Sequence, residues 1–188
     1  MTCMEVLEEL VNPSARIPLT QERRSWGVEL YEPQSPSRVY ISNVPAGTIV
    51  IRLDENFNVN RIFSEGTHAR KRSDFLLIAE ESRELIILHI EMKLNDGNRQ
   101  LIRNQLLGSH CFCQYVQEIG RSFWRHDGFL GNARHRYVYF TGTDGTRKRA
   151  PSARALGALH DTPDTALAID SPTHLNFKKL VGRSFPNA

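Results

Sequence analysis

Residues 73–93 hold two short apolar runs, Phe75-Leu76-Leu77-Ile78 and Leu85-Ile86-Ile87-Leu88, and between them lies a polar stretch containing Glu80-Glu81-Ser82-Arg83. Runs this short, this rich in isoleucine and leucine, and this close together predict an antiparallel hairpin, with strands over 74–80 and 84–93. Side chains alternate along a strand, so His89, Glu91 and Lys93 share one face while Leu88, Ile90 and Met92 take the other. A charged pair at the end of an otherwise buried strand is costly unless something compensates it. The hairpin also carries Asp74 to the same end of the sheet as Glu91 and Lys93. That end of the sheet is therefore the first place to look for chemistry.

The rest of the chain is arranged around this hairpin. Residues 2–11 predict a short helix with Thr2 as N-cap and Asn12-Pro13 as its stop. Pro13, Pro18, Pro33 and Pro36 mark residues 12–37 as irregular connection, with an ordered piece around Trp26–Tyr31. Arg38–Val44 and Thr48–Asp54 predict two strands, and Pro45-Ala46-Gly47 between them predicts a hairpin turn. A polar segment, 55–71, leads to Asp74. After a loop at Asn95-Asp96-Gly97, a long helix is expected from Asn98 to about Ile119. Leu101, Ile102, Leu106, Phe112, Cys113, Val116 and Ile119 fall on one broad face of it. Gln105 lies near the middle of that face, Gly108 and Ser109 allow a close approach to a sheet, and Gly120 is the expected stop. Arg134–Gly142 and Ala166–Ile169 predict further strands. A polar loop over 143–151 and a short helix over 152–159 come between them. Residues 174–181 fit a strand or a helix. The expected class is α/β or α+β: one domain over 1–188, a central mixed β-sheet flanked by helices, a core of about 70–142 and an inserted hairpin of about 38–54.

Asp74 and Glu91 are two carboxylates of the kind that Mg²⁺ accepts, since it takes oxygen ligands and keeps part of its water. The backbone carbonyl of Met92 adds a third oxygen. Lys93 sits where it can stabilise a hydroxide or developing negative charge on a phosphoryl group. With Glu91-x-Lys93 closing an apolar strand and a long helix carrying Gln105, this pattern over residues 70–119 resembles the PD-(D/E)xK nuclease superfamily. That family includes restriction endonucleases, Holliday-junction resolvases and phage-defence effectors. The resemblance implies a restriction endonuclease-like fold and Mg²⁺- or Mn²⁺-dependent hydrolysis of nucleic acid, with DNA the expected substrate. By the same resemblance Asp74 and Glu91 bind metal, Lys93 is the catalytic lysine, and Gln105 is the glutamine of the following helix. An acid of the first helix often completes such a site, and of Glu5, Glu8 and Glu9 the choice here is Glu9. The sequence departs from the family in having Ser73, not proline, before Asp74, and in the 60 or so residues between the first helix and Asp74.

Charge is unevenly spread. The net charge is +3, yet residues 67–188 carry 18 basic and 12 acidic side chains. The clusters Arg70-Lys71-Arg72, Arg147-Lys148-Arg149 and Lys178-Lys179 suit a polyanion or a solvated basic surface. Arg70, Lys71 and Arg72, with Arg99 and Arg103 on the long helix, are the candidate phosphate contacts. His89 shares the face of Glu91 and is either a tuning group or a satisfied core histidine. Trp26, Tyr115 and Trp124 are candidates for base stacking or for packing. Three cysteines make no disulfide framework, and helical Cys111 and Cys113 do not face each other, which argues against structural zinc there. No apolar run nears the roughly 20 residues of a membrane span, and the acidic first residues do not resemble a secretion signal, so the expected compartment is the cytoplasm. A homodimer, a partner protein or structure in the substrate would supply specificity. The competing function is a non-catalytic module of the same fold that binds nucleic acid or protein, or an effector subunit working with a partner.

Overall fold

A computed structural model of the chain describes residues 1–33, 37–95, 97–142 and 159–182. The expected 143–151 loop, the 152–159 helix apart from Leu159, and the Arg147-Lys148-Arg149 cluster lie outside the described residues. The protein is α+β, built on two mixed sheets. No helix among the described residues is long and apolar enough to cross a membrane.

The chain opens with α1 (Cys3–Leu10), started by a capping box. Thr2 Oγ1 accepts from the Glu5 N–H and the Glu5 carboxylate accepts from the Thr2 N–H, so two otherwise unpaired amides are satisfied. Next come β1 (Thr20–Glu22), β2 (Ser25–Glu32), β3 (Ser37–Val44), β4 (Ile49–Arg52) and the single-turn α2 (Leu53–Asn56). The central hairpin is β5 (Phe75–Glu81) and β6 (Glu84–Met92), followed by α3 (Arg99–Trp124), β7 (Arg134–Thr141), β8 (Leu167–Asp170), β9 (His174–Asn176) and α4 (Phe177–Val181). Residues 174–181 are thus both strand and helix in turn.

The larger sheet runs β4-β5-β6-β7-β8. β4, β5 and β6 are antiparallel in succession, and β6, β7 and β8 are parallel. Its two faces are covered differently. Leu76, Ile78 and Ile87 pack under α1 and α3 with Val6, Leu7, Cys113 and Val116. Phe75, Leu77, Ala79, Ile86, Leu88 and Ile90 meet Val28, Leu30, Val39 and Ile41 of the second sheet, ordered β1-β2-β3-β9. Because β5 and β6 are buried on both faces, their sequences read as continuous apolar runs.

Residues 12–37 are not mainly irregular: they supply β1 and the eight-residue β2. Pro33 falls after β2, so it delimits that strand without interrupting its ladder. Pro45-Ala46-Gly47 does not close a hairpin either. β3 pairs with β2 and β9, while β4 pairs with β5, so the turn carries the chain from one sheet to the other. No inserted 38–54 hairpin exists, because its two strands belong to different layers.

α3 begins where expected, with the Asn98 side chain accepting from the Gln100 and Leu101 N–H groups. It does not stop at Gly120. It runs on to Trp124 and ends at Arg125, whose φ of 52° is left-handed. Gly120 is required inside the helix, since a Cβ there would lie 2.0 Å from the ring of Phe129. Gly108 serves a different close approach from the one expected. Its Cβ would meet not the sheet but the backbone oxygen of Lys71, at 1.7 Å, so the helix carries the 70–72 segment directly on its surface.

Candidate active site

The register Phe75↔Ile90 sets Asp74 across from Glu91, and strand alternation turns both toward α3. Asp74 Oδ2 accepts a hydrogen bond from the Met92 N–H at 2.6 Å. The Asp74 carbonyl accepts from the Leu53 N–H at 2.8 Å, tying the acid to the start of α2 as well. Within a strand a residue's N–H and C=O point to the same side, so the Met92 carbonyl also faces Asp74. Glu91 is 0% exposed. Its Oε1 pairs with Lys93 Nζ, and its Oε2 has no hydrogen-bond partner among the described residues.

Burial, then repulsion from Glu91, holds the Asp74 carboxyl well above its ordinary value, against the pull of the Met92 N–H and Lys93. Burial likewise lifts Glu91 to about 7, opposed by Lys93. Paired carboxyls held back from ionising are a frequent mark of a functional site.

Two further acids, which sequence reasoning missed, join them. Oxygen atoms of Glu32, at the end of β2, and Asp54, in α2, lie within 4.8 Å of each other and of Asp74. Arg52 draws them together: its guanidinium donates to the Tyr31 carbonyl at 2.7 Å and to Glu55 at 3.0 Å, locking the end of β2 beside the end of β4. Asp54 Oδ1 is buried with no hydrogen-bond partner among the described residues. Burial and the Glu32 charge raise its pKa. Asp54 carries the same signal as Asp74, an acid at the end of an apolar strand. Assigning its strand to an insertion hid that signal.

Glu32, Asp54 and Asp74 line a depression of about 510 Å³ with Met92, Lys93, Gln105 and the basic run Arg70-Lys71-Arg72, while Glu91 lies wholly buried beneath Lys93. Gln105 reaches in from α3, and its Oε1 is buried with no hydrogen-bond partner among the described residues. The basic residues differ in availability. Arg72 donates twice to the Asp54 carbonyl, at 3.1 and 3.3 Å, and is a structural clamp. Arg70 holds Asn60 at 2.9 Å and Glu65 at 3.6 Å. Lys71 and Arg99 are exposed. Arg103 is not turned to a phosphate: it is ion-paired with Asp164.

Glu9 does not belong to this site. Its carboxylate accepts from Trp124 Nε1 at 2.9 Å, at the opposite end of α3 from Gln105, about 28 Å along the helix. The family-type acid of the first helix is therefore absent at that position, and Glu32 and Asp54 stand closer to Asp74 instead. Trp124 is occupied by the same bond, whereas Tyr115 lines an apolar groove of about 620 Å³ between α3 and residues 57–72.

His89 lies beside the acids but belongs to a separate cluster. It is fully buried, with Nδ1 2.8 Å from Ser109 Oγ and Nε2 2.9 Å from His135 Nδ1. Burial lowers the pKa of His89 well below its ordinary value, lowers that of His110, and takes His135 to about 4. No protein-family model matches the chain, and neither a curated protein nor a solved structure matches it.

Proposed function

We propose that the protein is a metal-dependent nuclease of the PD-(D/E)xK type, with a restriction endonuclease-like core, that hydrolyses phosphodiesters of nucleic acid, DNA first among them, in the cytoplasm. One observation carries this: Asp74, Lys93 and Gln105 line one depression with two further carboxylates, Glu32 and Asp54, Glu91 is ion-paired with Lys93 beneath it, and Asp54 Oδ1, Glu91 Oε2 and Gln105 Oε1 have no hydrogen-bond partner among the described residues. The order of elements supports it too. An acid precedes one strand, Glu-x-Lys closes its antiparallel neighbour, and a long helix crosses before a strand parallel to the second.

The donor set fits Mg²⁺ or Mn²⁺. It is all oxygen and largely buried, and burial, with mutual repulsion among the acids, raises the pKa of its carboxyls. Asp54, Asp74 and Glu91 would hold the ion, with Gln105 Oε1 and the Met92 carbonyl beside them. Such an ion lowers the pKa of a bound water and offsets charge on phosphoryl oxygens. The chain's own groups do the rest. Lys93, fixed through Glu91, presents an ammonium to the negative charge that develops at phosphorus. Lys71 and Arg99 draw the phosphate backbone toward the depression. Arg72 and Arg52 hold the Asp54 loop in place and so position the second tier of acids.

A second reading, a non-catalytic binding module of the same fold, is favoured by Glu91, which is wholly buried and closed over by Lys93. The two separate in one assay. Plasmid, linear and single-stranded DNA, and RNA, are incubated with Mg²⁺, Mn²⁺ or EDTA, using wild type, Asp74→Asn and Lys93→Ala. Metal-dependent cutting that both folded variants lose supports the nuclease. Binding without cutting by the wild type favours the module.

A further inference from the structure

We propose a second metal site, for Zn²⁺ or a similar borderline transition ion, formed by His89 of β6, His110 of α3 and His135 of β7. One ring nitrogen from each lies within 4.8 Å of the other two. The three residues come from three elements that meet where the long helix crosses two parallel strands. His89 is about 6.6 Å along β6 from Glu91, so this is a neighbour of the carboxylate site and not part of it. Its donors differ in kind: imidazole nitrogens suit zinc, copper or nickel, whereas the carboxylates suit magnesium and manganese.

Hydrogen bonds already set the orientation of the rings. Ser109 Oγ donates to the Leu106 carbonyl at 2.8 Å. Its oxygen is then left to accept from His89 Nδ1–H, which fixes the tautomer and presents the Nε2 lone pair. His135 Nδ1 approaches that lone pair at 2.9 Å. Tyr137 OH holds His110 Nδ1 at 2.6 Å, and the Tyr137 ring stacks on His89 with centroids 4.4 Å apart and planes 10° from parallel. For His89, the Ser109 partner on Nδ1 leaves Nε2 to face the other rings, and such a partner on the second nitrogen of a ligating imidazole is the usual support of a zinc site. Tetrahedral zinc, with Zn–N of about 2.0–2.1 Å, spaces its nitrogens about 3.4 Å apart, so small ring rotations bring the three together. His110 and His135 are only half-buried, which leaves an entry for the ion and an open fourth position. Bound there, the ion staples α3 to β6 and β7 behind the carboxylate site.

The test is a Co²⁺ titration of the untagged, EDTA-stripped full chain, followed by visible absorption. A three-histidine tetrahedral site gives intense bands, while an octahedral oxygen site gives weak ones. The expected result is one equivalent with intense bands, displaced by Zn²⁺, retained in Asp74→Asn and weakened at least about tenfold in affinity in His110→Ala and His135→Ala. Imidazole ¹⁵N shifts of the wild type on adding Zn²⁺ give a readout that does not depend on the variants folding. Weak bands only, bands lost in Asp74→Asn but kept in both histidine variants, or unmoved imidazole resonances would each overturn the site. Because the Asp74→Asn control addresses the carboxylates separately, failure here leaves the nuclease proposal untouched, and the converse also holds.

Discussion

Asp74 Oδ2 accepts from the Met92 N–H at 2.6 Å and so closes the ladder between β5 and β6 with a side chain. The same carboxylate that would hold a metal therefore also satisfies a buried amide. Asp74→Ala should lose both roles, and leaving that N–H unpaired costs about 1–3 kcal/mol. Asp74→Asn keeps an oxygen for Met92 and removes only the charge. We expect Asn to unfold within about 1 kcal/mol of wild type in urea while abolishing metal-dependent cleavage. If Asp74→Asn cuts like wild type, the assigned role of Asp74 is wrong.

Asp54 is the acid whose removal most directly tests the wider cluster. Its Oδ1 is buried with no hydrogen-bond partner among the described residues and faces the Glu32 charge. Asp54→Asn should raise the urea midpoint of the metal-free protein, because it relieves repulsion from Glu32 and the desolvation of a charge. It should also weaken Mn²⁺ binding by about tenfold or more. Glu9→Ala, which breaks only the bond to Trp124, should leave Mn²⁺ affinity unchanged. Calorimetric titration of both variants checks the pair, and equal affinities for Asp54→Asn and wild type would remove Asp54 from the site.

How much of this was legible follows from what each residue advertises locally. Asp74, Glu91 and Lys93 announce themselves because apolar runs fix their strand phase, and that phase alone puts them on one face. Gln105 follows from helical periodicity. Glu32 does not, because its burial depends on a second sheet that no local pattern joins to the first. Four prolines in residues 12–37 suggested irregularity, yet those that flank strands leave the ladder intact. Gly120 looked like a helix stop because its tertiary reason, the ring of Phe129 against the backbone, lies outside the helix. The resemblance points to Glu9, and only the path of α3, which sets Trp124 against it, puts that acid at the wrong end.

Burial lifts Glu91 to about 7 from its ordinary 4.5. A carboxyl raised in the folded state keeps a proton that the unfolded chain releases between those values. Its contribution to stability is therefore present below 4.5 and is lost as pH climbs toward 7, a change on the order of 3 kcal/mol at most. The histidine cluster works the other way, since its lowered values add stability as pH rises toward 6.5. Comparing wild type with Glu91→Gln cancels that part, because both proteins carry the cluster. In EDTA, the Tm of Glu91→Gln should gain on wild type between about pH 5 and pH 7.5. Mn²⁺ at the upper pH should restore wild type and leave the variant unmoved. A Tm difference that stays flat with pH would contradict the assigned shift.

Gly108→Ala tests the packing that holds the basic rim. The added methyl would lie 1.7 Å from the Lys71 carbonyl oxygen, a backbone atom with little freedom to yield. The 70–72 segment must move away from α3, at a cost of about 1–3 kcal/mol. Gly66→Ala is the control, because a Cβ there meets nothing within 4 Å. Urea unfolding should separate the two clearly, and Gly108→Ala should lose cleavage or nucleic-acid binding beyond what its stability explains.

The central hairpin turns through Ser82 and Arg83, both left-handed at φ 52° and 67°. Left-handed backbone costs an ordinary L-residue about 1–2 kcal/mol, and two-residue turns of this kind favour Asn-Gly. Ser82→Asn with Arg83→Gly should therefore stabilise the protein by about 1 kcal/mol, since both side chains are exposed. The turn lies at the end of β5 and β6 opposite Asp74 and Glu91, so catalysis or binding should be unchanged. A rise in urea midpoint with unaltered activity would show that the turn sets strand pairing without tuning the site. A loss of stability would mean that Ser82 or Arg83 makes a contact worth more than the backbone strain it carries.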